Sequence, residues 1–153
     1  MSNSFSYEKY LAENEELTYT NVGVSMMPLL RQGKDLFTVR RKDPAERCRV
    51  GDVALYRKTP DQFVLHRVIR VRPDDYVILG DNCISREYGI RDEDILGVMT
   101  GFVRDGKSHT VDEPGYKLYS FVVLHTIPAR ILLKQARRKA GRLVRRMGRS
   151  HGD

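Results

Sequence analysis

This sequence has little cysteine, no long apolar run and no excess charge over most of its length, and each shortage excludes something. Its 153 residues include two cysteines, Cys48 and Cys83, with no Cys-x-x-Cys or Cys/His ligand spacing. A disulfide framework and a zinc site are therefore not expected, and reduced thiols in a cytoplasmic protein are the plain reading. The longest apolar stretch, residues 119–127, contains His125 and is followed closely by Arg130. It falls short of the ~20 apolar residues a membrane-spanning helix needs. Residues 1–16 are polar and acidic, without the basic and apolar regions of a secretory leader. The expected location is cytoplasmic, with peripheral attachment to the inner membrane face as an option for the tail. Internal repeats and low-complexity segments are absent.

The net charge of +7 is concentrated at one end. Residues 1–129 hold 18 basic and 19 acidic side chains, whereas residues 130–153 hold nine basic and one acidic. A neutral body with a basic amphipathic tail points to an anionic surface rather than to a broad nucleic-acid interface.

The chain is sized for one domain, long enough to bury roughly two thirds of its unfolded surface. Residues 7–16 predict a short helix, with Tyr7, Tyr10 and Leu11 at i, i+3 and i+4. Beyond it, seven runs rich in β-branched and aromatic residues predict strands at 17–24, 35–40, 52–57, 62–71, 76–79, 95–104 and 108–112. Turn residues separate them, including Gly33, Gly51, Pro73 and Gly106. The expected fold is mainly β, a partly open barrel or packed sheets. After Pro114 the period changes. Ile131, Leu132, Ala136, Ala140, Leu143, Val144 and Met147 form one stripe of a basic helix, with Pro128 near its first turn and Gly148 near its end. The chain thus divides into an N-terminal helical segment 1–16, a β domain 17–118 and an apolar segment with basic helix 119–153.

Three short stretches offer a nucleophile, a base and an acid in order. Ser25 follows a strand-like run, with Gly23 before it and Pro28 after it, so its hydroxyl would leave a strand end at a turn. His66 shares one face of its strand with Val64 and Val68. An imidazole with an ordinary pKa near ~6.5 is a ready acceptor for a serine proton at neutral pH. Asp81 follows another strand through Gly80 and could hold the second ring nitrogen. Each element alone is commonplace: a turn serine, a core histidine, a Gly-Asp-Asn turn. Their order gives them meaning.

With these residues in view, the chain resembles the type I signal peptidase family, within the wider group that includes self-cleaving SOS-type repressors. Residues 23–30, Gly-Val-Ser-Met-Met-Pro-Leu-Leu, are similar to the nucleophile box. Residues 51–56, Gly-Asp-Val-Ala-Leu-Tyr, resemble the strand before the base, and residues 77–82, Val-Ile-Leu-Gly-Asp-Asn, the carboxylate box. Residues 95–99, Ile-Leu-Gly-Val-Met, resemble the closing strand. Where most bacterial members carry a lysine, this chain has His66, as in the archaeal and endoplasmic reticulum branch.

The resemblance implies a signal-peptidase-like β fold and a serine endopeptidase in which Ser25 is the nucleophile, His66 the general base and Asp81 the family's aspartate. Some members have a second acid six residues on, where this chain has Glu87. Some lysine-type members donate an oxyanion-hole hydroxyl from the position occupied here by Gly23, so the hole would rest mainly on backbone donors including the Ser25 amide. Gly23, Met26 and Pro28 would border the oxyanion and the substrate. No cofactor and no metal are implied. The expected partners are a peptide or precursor-protein substrate with small residues before the scissile bond and an anionic membrane surface under residues 130–149. Nucleic acid is not expected.

Two alternatives share the fold: repressor-like self-cleavage, which lacks a preceding helix-turn-helix domain and a lysine base, and a non-catalytic binding module docking through its tail. Cys83 has no activating neighbour in sequence, and His109, His125 and His151 are assigned no function. The catalytic reading expects Ser25 Oγ and a His66 ring nitrogen within ~4 Å, with Asp81 at the other nitrogen.

Overall fold

A computed structural model of the chain describes residues 6–149; the first five residues and His151 lie outside that range. Helix α1 (Tyr7–Glu13) begins where the Ser6 hydroxyl accepts the Lys9 amide, and it buries Leu11. Eight strands follow: β1 (Glu16–Thr20), β2 (Leu36–Arg41), β3 (Val53–Thr59), β4 (Gln62–Val71), β5 (Tyr76–Leu79), β6 (Glu87–Ile90), β7 (Ile95–Arg104) and β8 (Lys107–Thr110). A short 3-10 helix, Asp92–Asp94, precedes β7. Helices α2 (Pro114–His125) and α3 (Ile127–Arg149) complete the chain.

The strands form one antiparallel sheet in the order β1-β2-β7-β3-β4-β5-β6, with β8 pairing the far part of β7. The mainly β reading holds in this form. All seven expected strands are present, with their limits adjusted, and β6 is an eighth. The first is shorter than expected because Asn21 turns the chain out of the sheet. Its side-chain amide donates to the Gly23 and Leu30 carbonyls, and its backbone amide donates to the Asp35 carbonyl. The 21–35 excursion so formed carries Ser25. The boundary expected between 118 and 119 falls inside α2, which runs without a break from 114 to 125.

Strand β3 is buried over its first four residues because both of its faces are covered. Val53 and Leu55 enter a cluster with Leu11, Leu17, Met26, Leu30 and Met99, while Ala54 and Tyr56 enter one with Cys48, Val68, Tyr76 and Ile78. The two-residue period of a strand makes that division. Because Ala54 pairs with His66 and Val53 with Arg67, β4 sends its histidine to one face and its arginine to the other.

Arg67 and Asp81 form a fully buried ion pair. Arg67 Nε and Nη2 donate to the two Asp81 carboxylate oxygens, each at 2.8 Å, and Nη1 donates to the Gly51 carbonyl and Ser120 Oγ at 2.9 Å. Tyr119 OH donates to Asp81 Oδ2 at 2.9 Å. The pair therefore joins β4, the 80–82 loop, the turn before β3 and α2. That turn needs Gly51, whose φ of +101° is strained for any residue with a side chain. Removing one partner of such a pair strands a buried charge, at about 3–5 kcal/mol. Arg67→Met is expected to lower unfolding free energy by that order in urea titration. The double variant Arg67→Met/Asp81→Leu is expected to recover much of the loss, because it leaves no uncompensated charge.

Candidate active site

Ser25 sits in the excursion between β1 and β2, His66 in the middle of β4, and both line one open cleft of about 300 Å³ with Asn21, Lys58 and Phe63. The two residues are brought together by the 80–82 loop. A Cβ placed on Gly80 would lie 2.8 Å from the Ser25 carbonyl oxygen, 2.9 Å from His66 Nε2 and 2.7 Å from Cys83 Sγ. Only a residue without a side chain lets the serine turn and the imidazole approach the loop this closely. Asn82 then fixes the serine turn from below: its backbone amide donates to the Ser25 carbonyl at 2.8 Å and its side-chain amide to the Val24 carbonyl at 3.0 Å. Among the described residues no hydrogen bond joins the Ser25 hydroxyl to the imidazole, so the two face a shared cleft without being locked together.

The acid beside the imidazole is Glu87, not Asp81. Both Asp81 carboxylate oxygens are taken by Arg67 and Tyr119 on the opposite side of β4, whereas Glu87 Oε1 lies 3.7 Å from His66 Nδ1. Between them stands Tyr56, which sequence reasoning passed over. Its hydroxyl donates to Glu87 Oε2 at 2.7 Å and lies 3.3 Å from His66 Nδ1. A phenol has one proton, and here the carboxylate takes it, so the tyrosine oxygen can only accept from the ring. Nδ1 therefore carries the imidazole proton, and the lone pair of the neutral ring is on Nε2, toward the serine turn. Lys58 Nζ, 3.0 Å from Glu87 Oε1, completes the cluster.

Electrostatics agree with that assignment. Burial lowers the His66 pKa below its ordinary value, with the Glu87 charge opposing and the Lys58 charge assisting. The ring is neutral at pH 7 and able to accept a proton. Burial pushes the Glu87 carboxyl upward, but hydrogen bonds from Tyr56 and Lys58 outweigh it and hold the group below the usual range, as a carboxylate. Burial, with the bond to Glu87, raises the Tyr56 phenol far above its ordinary value and keeps its proton in place. Burial likewise raises the Cys83 thiol, which leaves it protonated and a poor nucleophile.

The remaining residues divide. The amides of Ser25 and Met26 make no hydrogen bond among the described residues; Ser25 lines the cleft, whereas Met26 is buried and does not. Gly23, with φ +87°, shapes the turn, and its carbonyl accepts from Asn21. The Met26 side chain is buried in the core beside Leu30 and not presented to the cleft. The Pro28 carbonyl accepts from Arg104 Nη2 at 2.8 Å, which ties this end of the excursion to β7. No cluster of metal-ligating side chains occurs among the described residues. His109 lies against Phe102 and Glu113, and His125 stacks on Phe121, both remote from the cleft.

Gly80 gives the sharpest test of this arrangement. Gly80→Ala forces its methyl against a backbone oxygen that Asn82 holds in place, so the expected cost is about 1–3 kcal/mol of overpacking. Urea titration measures that loss, and the chemical shift of the His66 ring is expected to move with it. No family model matches this chain, and no curated protein matches it.

Proposed function

We propose that the chain is a serine endopeptidase of the signal peptidase type, in which Ser25 attacks a peptide carbonyl and His66 is the general base. The observation that carries this reading is the convergence of the Ser25 turn and the free Nε2 of His66 on Gly80, in one open cleft. The β architecture is compatible with the packed-sheet arrangement of that family. The order of the nucleophile, base and Gly-Asp-Asn boxes supports the same assignment.

In the proposed reaction, His66 Nε2 takes the Ser25 Oγ proton as Oγ bonds to the carbonyl carbon. The resulting oxyanion is met by the backbone amide of Ser25, which makes no hydrogen bond among the described residues. The imidazolium then gives its proton to the departing amine nitrogen as the C–N bond breaks, leaving an acyl ester on Ser25. Water, deprotonated by the same ring, hydrolyses the ester. Tyr56 and Glu87 are positioning residues that keep the Nδ1 proton in place and steady the positive charge that develops on the ring. In this reading Asp81 acts through the fold, by holding the 80–82 loop against Arg67. The substrate is a peptide or precursor segment lying extended across the cleft.

The purified chain, treated with a fluorophosphonate probe and read by intact mass, is expected to gain one adduct. Ser25→Ala is expected to abolish it, and His66→Ala to slow it by about 10²–10⁴. A folded wild-type protein that never forms the adduct and cleaves no peptide would overturn the proposal.

The pH profile tests the base. Activity needs the neutral ring, so kcat/KM is expected to fall as pH drops through the His66 pKa, at a midpoint below the ordinary value of 6.5. The Glu87 charge raises that pKa and the Lys58 charge lowers it. Glu87→Gln is accordingly expected to shift the midpoint down and Lys58→Met to shift it up. Identical midpoints in all three proteins would remove Glu87 from its positioning role.

A further inference from the structure

Helix α2 and the start of α3, as far as Lys134, pack on the domain with the side opposite to their apolar stripe. On α2, Tyr119 and Ser120 turn inward to the Arg67–Asp81 pair and Val123 is buried, while Leu118, Phe121 and Val122 are exposed. On α3, Ile127 is buried, Arg130 donates to the Asp81 and Val123 carbonyls, and Lys134 donates to the carbonyl and side-chain oxygen of Asn82. Its apolar residues Leu132, Leu133, Leu143, Val144 and Met147 are all exposed, Leu132 at 67%, Leu143 at 61% and Val144 at 69%. Counted at about 100° per residue through Thr126, the exposed apolar residues of α2 and α3 share one helical phase, and the inward residues lie half a turn away. Beyond Arg130 and Lys134, α3 carries six more Lys or Arg side chains from Arg137 to Arg146, and it has no acidic residue.

We propose that this outward face of α2 and α3 docks on an anionic lipid bilayer, with its apolar stripe at the acyl boundary and its flanking cations among the headgroups. The inference rests on how the helices are placed and is independent of the peptidase reading. Three other occupants fit less well. The protein's own core cannot cover the stripe, because Arg130 and Lys134 fasten the opposite side of α3 to the 80–82 loop. A second copy would bring two acid-free cationic helices together along the same stripe. A polyanion such as nucleic acid would pair the cations and leave the apolar residues in water. An anionic bilayer satisfies both sets at once: a broad apolar stripe, a cationic flank and a mean hydropathy too low for insertion are the marks of a helix lying in the interface plane. No helix among the described residues is long and apolar enough to cross a membrane.

Flotation of the full chain with vesicles of phosphatidylglycerol and phosphatidylcholine tests the proposal, with pure phosphatidylcholine vesicles and duplex DNA as comparisons. Binding to the anionic vesicles is expected to be at least about tenfold tighter than to the zwitterionic ones. Leu132→Gln/Leu143→Gln replaces two exposed residues, so the fold is expected to be retained by circular dichroism. That variant is expected to bind anionic vesicles at least about tenfold more weakly. Any of four results would overturn the inference: no flotation with anionic vesicles, equal binding by the leucine variant, tighter binding to DNA than to vesicles, or a stable dimer that buries the stripe before lipid is added. The fluorophosphonate adduct on Ser25 is expected to be unchanged in the leucine variant, so failure of docking and failure of the peptidase reading are separate results.

Discussion

A buried charge must find its counter-charge, and in this protein that requirement fixes the site. Arg67 enters the interior from the middle of β4 with its side chain fully covered. Left alone it would be intolerable, since the penalty for removing an ion from water is several kcal/mol even after relaxation. Desolvation works against its charge, and the Asp81 carboxylate more than restores it. The bidentate geometry, the Gly51 carbonyl, Ser120 and Tyr119 satisfy the donors and acceptors that remain. A network this complete has only one low-energy arrangement. It therefore sets the position of the 80–82 loop to within hydrogen-bond tolerance.

From that loop the cleft follows. Gly80 admits the serine turn and the imidazole at close range, and Asn82 pins the Val24 and Ser25 carbonyls. Because Arg67 and His66 are adjacent on a strand, they must face opposite ways, so the acid that serves one cannot serve the other. Asp81 goes with the arginine. The imidazole is left to the β3 and β6 side of the sheet, where Tyr56 and Glu87 wait. Tyr56 and the Glu87 carboxylate together orient the ring, while burial, more than these neighbours, sets its proton affinity.

Much of this was legible in the sequence, and the failures have physical reasons. Alternating β-branched residues marked the strands, and Pro128 and Gly148 marked α3 at nearly its observed limits. β6 is not among the expected strands because Glu87-Tyr88-Gly89-Ile90 is only four residues long, with a glycine inside it; it pairs with β5. The expectation of Asp81 beside His66 leaves out Arg67, a charged residue in the buried middle of β4. That residue was itself the available signal, for an arginine flanked by His66 and Val68 on a buried strand demands an acid, and Asp81 was the one nearest in the fold. Tyr56 carried a weaker signal: one place from Leu55 on a strand buried on both faces, a hydroxyl needs a partner. The stripe of α3 was correctly located except for Ile131, which lies toward the inward side. What periodicity could not state was direction, because a stripe says which residues group together and nothing about what covers them.

Direction is settled by two cations. Arg130 and Lys134 meet backbone carbonyls and the Asn82 side chain at the same loop that holds Ser25, and these contacts orient α3 with its apolar residues outward. Hydrophobic burial alone would have turned the helix over. It did not, because Ile127 and the two cations occupy the only part of α3 that reaches the body, and beyond Lys134 every described residue to Met147 except the glycine at 141 is exposed. The loop is thus bound from three sides: the buried arginine, the serine turn and the helix. An element so constrained is preorganised and not a lid, and any force that acts on α3 is applied to the structure beside Ser25. Whatever surface the outward stripe meets, the cleft stands in a fixed relation to it, since the same hydrogen bonds hold both.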